Sequence, residues 1–383
     1  MRVVDAALFR VRLPLVHEFE TSSHRKSAIE HILVRLRDAD GRTGWGEIAS
    51  PSGPYFGAET TETCWAIAGQ VLLPALVGAE WESPAEAAET WRRVRGNRFA
   101  IAGVDGAVWA LHADALGVSL ARALGGTRRE IVAGVSLGIE ATVDGLLAQV
   151  QRHVDDGYPR VKLKIAPGWD VEPVRAVRAA FPGLDLHVDA NGAYPRETSS
   201  FEVFDRLDRD GLTMIEQPFA PDDLLAHAEL QRRVDTPVCL DESVESVDHM
   251  RTAVHLGAIR VLNIKVSRMG GLSAARDAHG VAGGEGIPVW CGGMHEFGIG
   301  RAANLAIASL PGFVLPSDVS GSDKYYGRDV TVQPILADRG RVPVPEGPGL
   351  GLDVDESFVE ATAGDRLDVI ADRNGAVVRV VAA

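Results

Sequence analysis

The sequence predicts an α/β protein, a (β/α) barrel preceded by a small α+β unit, and three observations carry that prediction. Eight short apolar runs follow one another between residues 131 and 318, separated by helical stretches. Strands that alternate with helices in this way form a parallel sheet that closes into a barrel. Six residues that end consecutive runs, Lys164, Asp189, Glu216, Asp241, Lys265 and Cys291, lie 25, 27, 25, 24 and 26 residues apart, one βα unit each time. The residues before 127 and after 328 lack this rhythm.

In chain order, residues 3–15 and 28–37 alternate as strands do. The turn Asp38-Ala39-Asp40-Gly41 leads into a short strand through Trp45. Helix-like stretches follow at 58–79, 84–96 and 100–116, with Ser83 before Pro84 as cap and first turn. Leu124-Gly125-Gly126 closes this α+β unit, assigned to residues 1–126. The barrel is assigned to 127–328, with runs at 131–137, 160–164, 184–190, 212–218, 237–242, 259–265, 287–293 and 313–318. Between the second and third runs, Val171, Val174, Val177 and Phe181 keep a helical spacing. Residues 329–383 are Pro- and Gly-rich and then strand-like, and are expected to pack back on the first unit.

Composition narrows the function. A net charge of −14, from 39 basic and 53 acidic residues, excludes a nucleic-acid phosphate surface. The longest mostly apolar stretch, Ala66 to Ala79, contains Gln70 and falls short of the ~20 residues that a bilayer requires. The first ten residues carry Asp5 and alternate like a strand, unlike a signal peptide. Cys64, Cys239 and Cys291 form no CxxC pair and fit a reducing cytoplasm. Of the 39 basic residues only Lys26, Lys162, Lys164, Lys265 and Lys324 are lysine. Arginine cannot release its proton at working pH and a buried lysine can, so these positions invite a role for the amine.

The run-ending residues carry the chemistry. Strand ends of a parallel barrel converge on one face, where barrel active sites lie. Three carboxylates there, Asp189, Glu216 and Asp241, form a hard-oxygen set suited to Mg²⁺ or Mn²⁺, and a cation would offset their mutual repulsion. The alternative is that each caps a helix or pairs with an arginine. Lys162 and Lys164 share a strand face and both point inward. An amine beside a divalent cation in a partly dry pocket is expected to fall from ~10.4 toward the range of about 7–8 that serves a base. Lys164 and Lys265, flanking the carboxylates, would then remove and return a proton alpha to a metal-bound carboxylate through an enediolate. A structural role as snorkelling side chains is the competing reading, and for Lys162 the two stand level.

The motifs Lys162-Leu163-Lys164, Asp189-Ala190-Asn191, Glu216-Gln217-Pro218, Asp241-Glu242-Ser243 and Asn263-Ile264-Lys265 resemble those of the enolase superfamily, which pairs a Lys or His base with Mg²⁺. Lysines on the second and sixth strands resemble its muconate lactonizing subgroup. The segments 160–178, 237–243, 288–294, 300–311 and 341–351 are similar to the o-succinylbenzoate synthase / N-succinylamino acid (N-acylamino acid) racemase family. The resemblance implies an enolase-like modified (β/α)₇β TIM barrel with an N-terminal capping domain completed by the C-terminal segment. It implies Mg²⁺ on Asp189, Glu216 and Asp241, acid/base catalysis by Lys164 and Lys265, and support from Asn191 and Glu242. A small-molecule carboxylate substrate and a symmetric homo-oligomer are implied as well. Synthase and racemase activities share one site and are not separated here.

There are departures. Met294-His295-Glu296-Phe297 stands where relatives usually read Met-Ile-Glu-Thr, which puts a histidine and an aromatic ring at the expected substrate wall. His295 is read as a substrate-contacting or structural residue, with an extra acid as the lesser option. Trp109-Ala110-Leu111 replaces a common Trp-Asp-Leu, and Val266-Ser267 a common Pro-Gly, with Arg268 retained. Substrate contacts are expected from the loop His17–Lys26, which holds Phe19, Arg25 and Lys26, and from Tyr55 in Gly53-Pro54-Tyr55-Phe56-Gly57. In the first loop a solvated role for Arg25 and Lys26 weighs equally. Backbone amides near Ser317 and Asp318 are candidates to receive the substrate carboxylate. The alternatives are a dipeptide epimerase, disfavoured because Asp318-Val319-Ser320 lacks an Asp-x-Asp pair, a muconate-type cycloisomerase, a mandelate-racemase-like enzyme, disfavoured by Lys265, a metal-dependent hydrolase, disfavoured because the first run lacks HxH, and a non-catalytic barrel, disfavoured because all five catalytic side chains are kept.

Overall fold

The alternation at the start of the chain produces a long hairpin. The computed structural model describes residues 1–20, 25–371 and 377–381. β1 (Val3–Glu20) pairs antiparallel with β2 (Arg25–Asp38), and β3 (Thr43–Ile48) adds to β2. Both long strands overrun the expected 3–15 and 28–37, so most of the stretch read as a loop from His17 to Lys26 is a hairpin arm. Thr21 to His24 lie outside the described residues.

This sheet is covered on both faces, and the period of two decides which residue goes where. Ala6, Leu8, Ile32, Val34 and Leu36 are buried with Val104, Val108 and Leu111 of α1 (Arg98–Ala115). Their neighbours Ala7, Phe9, Val11 and Leu33 join the large core shared with the barrel. α1 lies directly on β3 because that strand offers no side chain at two positions. A Cβ on Gly46 would stand 2.0 Å from the Gly103 carbonyl, and one on Gly44 2.3 Å from that of Ala107.

The barrel strands are β4 (Val135–Leu137), β5 (Arg160–Lys164), β6 (Asp185–Asp189), β7 (Ile215–Glu216), β8 (Val238–Leu240), β9 (Val261–Ile264) and β10 (Val289–Cys291). They are parallel and neighbour one another in chain order, one curled sheet of seven strands. Helix Val171–Ala180 buries Val171, Val174 and Val177, the stripe read from the spacing. The eighth run, 313–318, is not a regular strand, since Pro316 has no N–H to give a ladder. It makes single parallel bridges, Ser317 to Ala133 and Phe313 to Val289, and so joins β4 to β10.

The capping domain is tied to the barrel by two buried carboxylates. α2 (Leu272–Gly284) follows β9, and Asp105 accepts from the Ser273 N–H at 3.0 Å and its hydroxyl at 2.7 Å. Trp109 of the same capping helix donates to that hydroxyl at 2.8 Å. α3 (Gly298–Ala308) follows β10, and Glu47 of β3 accepts from the Phe297 and Gly300 N–H groups at 2.8 and 2.7 Å. Negative charge at a helix N-terminus meets unpaired N–H groups and the positive end of the dipole.

The end of the chain divides. Arg341–Pro343 pairs with Glu130–Val132 and stays with the barrel. β11 (Ala363–Ala371) then pairs antiparallel with β1, and β12 (Val377–Val381) with β11. So only the last part of the segment expected to pack on the first unit enters its sheet. Among the described residues no helix is long and apolar enough to cross a membrane.

Candidate active site

The 24- to 27-residue spacing delivers what it implied about position. Lys164, Asp189, Glu216 and Cys291 end β5, β6, β7 and β10, and Asp241 and Lys265 follow β8 and β9 by one residue. Asp189, Glu216 and Asp241 are at most 1% exposed. Beside them Asn191 and Gln217 hold left-handed backbone, φ 45° and 38°, a strain that non-glycine residues keep where a site demands it. The Gln217 side chain accepts from the Asp241 and Ser243 N–H groups at 3.0 and 3.2 Å, which sets the turn that carries Asp241.

Each carboxylate is held by a cation. Lys164 Nζ lies 2.6 Å from Asp189 and donates to Asn191 Oδ1 at 2.5 Å. Lys162 Nζ stands 3.2 Å from Glu216, 3.5 Å from Asp189 and 2.7 Å from Asp318. Lys265 Nζ is 2.8 Å from Asp241, whose other oxygen accepts from Arg268. Asn263 donates to Glu216 at 2.8 Å, and Asn191 to Glu242 at 2.9 Å.

Two of the carboxyl groups there are nonetheless disfavoured as anions. Burial, and then the charge of Asp189, raise the Glu216 pKa, while burial and then Asp241 raise that of Glu242. Glu242 Oε2 is buried with no hydrogen-bond partner. Among the described residues no three His, Cys, Asp or Glu side chains stand together as a ready coordination group; the lysine ammonium groups take the carboxylate oxygens instead. The donor set, hard oxygens with an orphaned one at its margin, fits a divalent cation. The lowered lysine pKa expected above depends on such a neighbour. With the protein's own charges alone, burial lowers the Lys265 pKa, but Asp241 and Glu242 outweigh it and the net shift is upward. Lys162 behaves likewise, with burial opposed by Asp318, Glu216 and Asp189.

A cavity of about 290 Å³ opens over these groups, walled by both the barrel and the capping sheet. Lys162, Lys164, Asp189, Asn191, Glu242 and Lys265 line its floor; Glu216 and Asp241 lie just behind. Tyr55, Met294, His295, Glu296 and Asp318 also reach it. Tyr55 is 74% exposed, at the rim. Its neighbour Phe56, passed over in favour of Tyr55, sets its ring 4.5 Å from Lys265 Nζ. Burial, followed by the charges of Lys26 and Arg301, holds the His295 pKa well below its ordinary value, so the ring is neutral and ill suited as an extra acid.

Two expected contacts are not on the cavity. Phe297 is fully buried, its ring 5.0 Å from His31 and 5.2 Å from Tyr326, because Glu47 holds its backbone at the start of α3 and the side chain turns into the domain junction. Ser317 is also fully buried, its hydroxyl accepting from the Cys291 N–H at 3.0 Å. Nor are the amides there available to a substrate: Ser317 N donates to Val132 and Asp318 N to Cys291, at 2.9 and 2.8 Å. Asp318 itself is bound by Arg160 and Lys162. The Phe19 side chain lies outside what is described. Cys239 and Cys291 are buried, and burial raises both thiols. Sequence reasoning noted Lys324 as one of five lysines but gave it no place at the site and missed Tyr325; the two reach the cavity from the end of the 3₁₀ turn Ser322–Lys324, an element too short for any periodic signal.

Residues 3–125 match the N-terminal domain model of mandelate racemase / muconate lactonizing enzyme, and residues 145–358 the enolase C-terminal domain-like model. The chain belongs to the enolase superfamily, whose enzymes generally depend on a divalent metal. Within it, the chain is 46% identical over 353 residues to an o-succinylbenzoate synthase of Geobacillus kaustophilus, covering 92% of this chain and 94% of that one. It is 45% identical over 354 residues to an N-succinylamino acid racemase of Amycolatopsis sp, covering 92% and 95%. A crystal structure of an enolase superfamily member from Listeria innocua superposes with a TM-score of 0.94 at 37% identity, over 97% of this chain and 99% of that one.

Proposed function

We propose that this enzyme removes the proton alpha to a carboxylate and serves as an o-succinylbenzoate synthase, an N-succinylamino acid racemase, or both from one site. Relatives of the two names stand at nearly equal identity, 46% and 45%. The observation that supports the reading is that Lys164 and Lys265, at the ends of the second and sixth barrel strands, line one cavity together with a set of three buried carboxylates.

Asp189, Glu216 and Asp241 would hold Mg²⁺, with Mn²⁺ as a substitute, and Asn191 and Glu242 would support them. Bound there, the ion supplies a positive charge to the oxygens of a substrate carboxylate as negative charge builds on them. Lys164 and Lys265 then face the two sides of the alpha carbon. In racemisation one amine takes the proton from its face and the other ammonium gives a proton to the opposite face, which inverts the centre. In the synthase reaction Lys164 takes the proton and returns it to the departing hydroxide, releasing water, while Lys265 stays protonated beside the enediolate. Asn191 orients the Lys164 amine from 2.5 Å, and Phe56 closes Lys265 from solvent on the capping side. We place the enzyme in the cytoplasm as a symmetric homo-oligomer, in keeping with its free cysteines and its family resemblance.

The test is proton NMR in D₂O with Mg²⁺, using N-succinyl-L-amino acids with apolar side chains and, in parallel, the o-succinylbenzoate precursor. Lys164→Ala and Lys265→Ala should each abolish racemisation while the folded spectrum is retained. Full activity in either variant would overturn the two-base reading.

A further inference from the structure

Lys162 differs from the other two lysines of the cavity floor in having carboxylates on both sides of its strand. β5 stands between β4 and β6. Two places to one side is the eighth run, which bridges to Ala133 beside β4 and carries Asp318. Two places to the other side is β7, which ends in Glu216. Lys162 Nζ lies 2.7 Å from Asp318, 3.2 Å from Glu216 and 3.5 Å from Asp189. Deeper in the barrel, the Trp290 ring is 4.8 Å from the same nitrogen and packs with Met214, Cys239 and Val261. The ammonium therefore rests on an apolar plug and is shared among three carboxylates.

Of these three, Asp318 is built as a fixed post. Its N–H donates to the Cys291 carbonyl at 2.8 Å, and that of Ser317 before it to the Val132 carbonyl at 2.9 Å. One carboxylate oxygen faces Lys162; the other lies 2.8 Å from Arg160 Nη1. Arg160 cannot drift, because it is buried, donates to the Pro316 carbonyl at 2.9 Å and stacks on Trp290 at 5.3 Å. Its guanidinium fills the space that Gly134 leaves, where a Cβ would stand 2.1 Å from Nε. Glu216 and Asp189 have a different task, since their oxygens belong to the set that fits a divalent cation. A buried ammonium takes whatever oxygen is within reach. Without Asp318, only those two carboxylates would remain to Lys162, and ammonium and cation would compete for the same oxygens.

We propose that Asp318 is a positioning residue: fixed by Arg160 on the eighth barrel run, it draws the Lys162 ammonium toward itself and so keeps Glu216 and Asp189 open to the divalent cation. Asp318 touches neither the cation nor the reacting carbon in this scheme and acts through Lys162. The inference rests on the proposed cation site and not on which of the two reactions the enzyme performs.

The test is a double-mutant cycle read by metal binding. Mn²⁺ is titrated into the full chain without substrate, and the electron paramagnetic resonance signal of the free ion gives the affinity. The four proteins are wild type, Asp318→Asn, Lys162→Met and the double variant, each first shown to be folded by circular dichroism. Because a hydrogen bond between charged groups is worth roughly one to two decades of affinity, Asp318→Asn should weaken Mn²⁺ binding about 10- to 100-fold when Lys162 is present. With Lys162→Met in place there is no amine to release, and the same substitution should change the affinity less than about 3-fold. Asp318→Ser, which leaves room for a water beside Arg160, runs through the same cycle if the asparagine variant does not fold. An equal loss in both backgrounds would mean that Asp318 acts only by its charge, and no loss in either that it serves Arg160 alone; each overturns the proposal while the cation site stands. A wild type that does not bind Mn²⁺ overturns the cation site and the role of Asp318 with it.

Discussion

Glu47 offers the sharpest test of how the capping sheet holds the active-site wall. Its side chain is fully buried and accepts from the Phe297 N–H at 2.8 Å, the Gly300 N–H at 2.7 Å and His31 Nδ1 at 2.7 Å. Glu47→Gln keeps the volume, so no cavity arises, but one oxygen becomes an NH₂. That group cannot accept from Gly300, and it sets donor against donor at the helix N-terminus. A hydrogen bond to a charged group contributes about 1.5–3 kcal/mol, and an unsatisfied buried donor costs about 1–3. Together these predict a loss of about 3–5 kcal/mol, a large share of the ~5–15 kcal/mol that a folded domain commands. An unfolding entropy of about 2.1 cal/mol/K per residue, applied to this chain, converts the loss to a melting point lower by roughly 4–6 °C. Because Met294, His295 and Glu296 lead into the helix that Glu47 caps, kcat/KM for racemisation should fall as well. Circular dichroism melts of wild type and variant decide it. A shift below ~1 °C would show that the buried carboxylate is not what fastens the domains at this point.

Two further substitutions examine the same junction and the site. Burial raises the Asp105 pKa to about 6, with hydrogen bonds from Ser273 partly offsetting it. A carboxyl whose pKa is raised by folding binds its proton more tightly in the folded state, so its contribution favours folding below about pH 4 and is lost as pH rises toward 6, by about 3 kcal/mol. Asp105→Asn should remove that component, and urea denaturation at pH 4.5 and 7.5 should show the wild-type curve gaining on the variant at the lower pH. Parallel pH dependences would refute it. Phe56→Ala removes the ring 4.5 Å from Lys265 Nζ; at about 0.5–2 kcal/mol for such a contact, kcat/KM should drop about 2- to 30-fold. An unchanged value would make Phe56 a packing residue alone.

The site is legible in the sequence to the extent that it depends on strands. Lys164, Asp189, Glu216, Asp241 and Lys265 could be placed at one mouth because a parallel barrel repeats one βα unit and presents its strand ends together. Lys162 could be turned inward by counting two residues back from Lys164. Phe297 and Ser317 lie near such ends as well and were misplaced. Their directions follow from bonds with residues far away in the chain, Glu47 for the first and Val132 with Cys291 for the second. Tyr55 announced itself as an aromatic in a turn, while Phe56 beside it found the lysine.

Local periodicity indicated by itself which residues share a face or an end: the alternation of the first two strands, the strand ends that carry the two lysines and three carboxylates, and the stripe of the helix Val171–Ala180. It could do so because side-chain direction repeats every two residues in a strand and every 3.6 in a helix, whatever lies elsewhere. Only the tertiary structure decided which cation holds which carboxylate, that Asp318 is claimed by Arg160 and Lys162, and that Lys26 and Lys324 face the cavity with no carboxylate within 4.0 Å among the described residues. Those outcomes depend on distances between residues far apart in the chain. A charge removed from water takes the best partner that packing brings within reach, and no local pattern in the chain records which one that is.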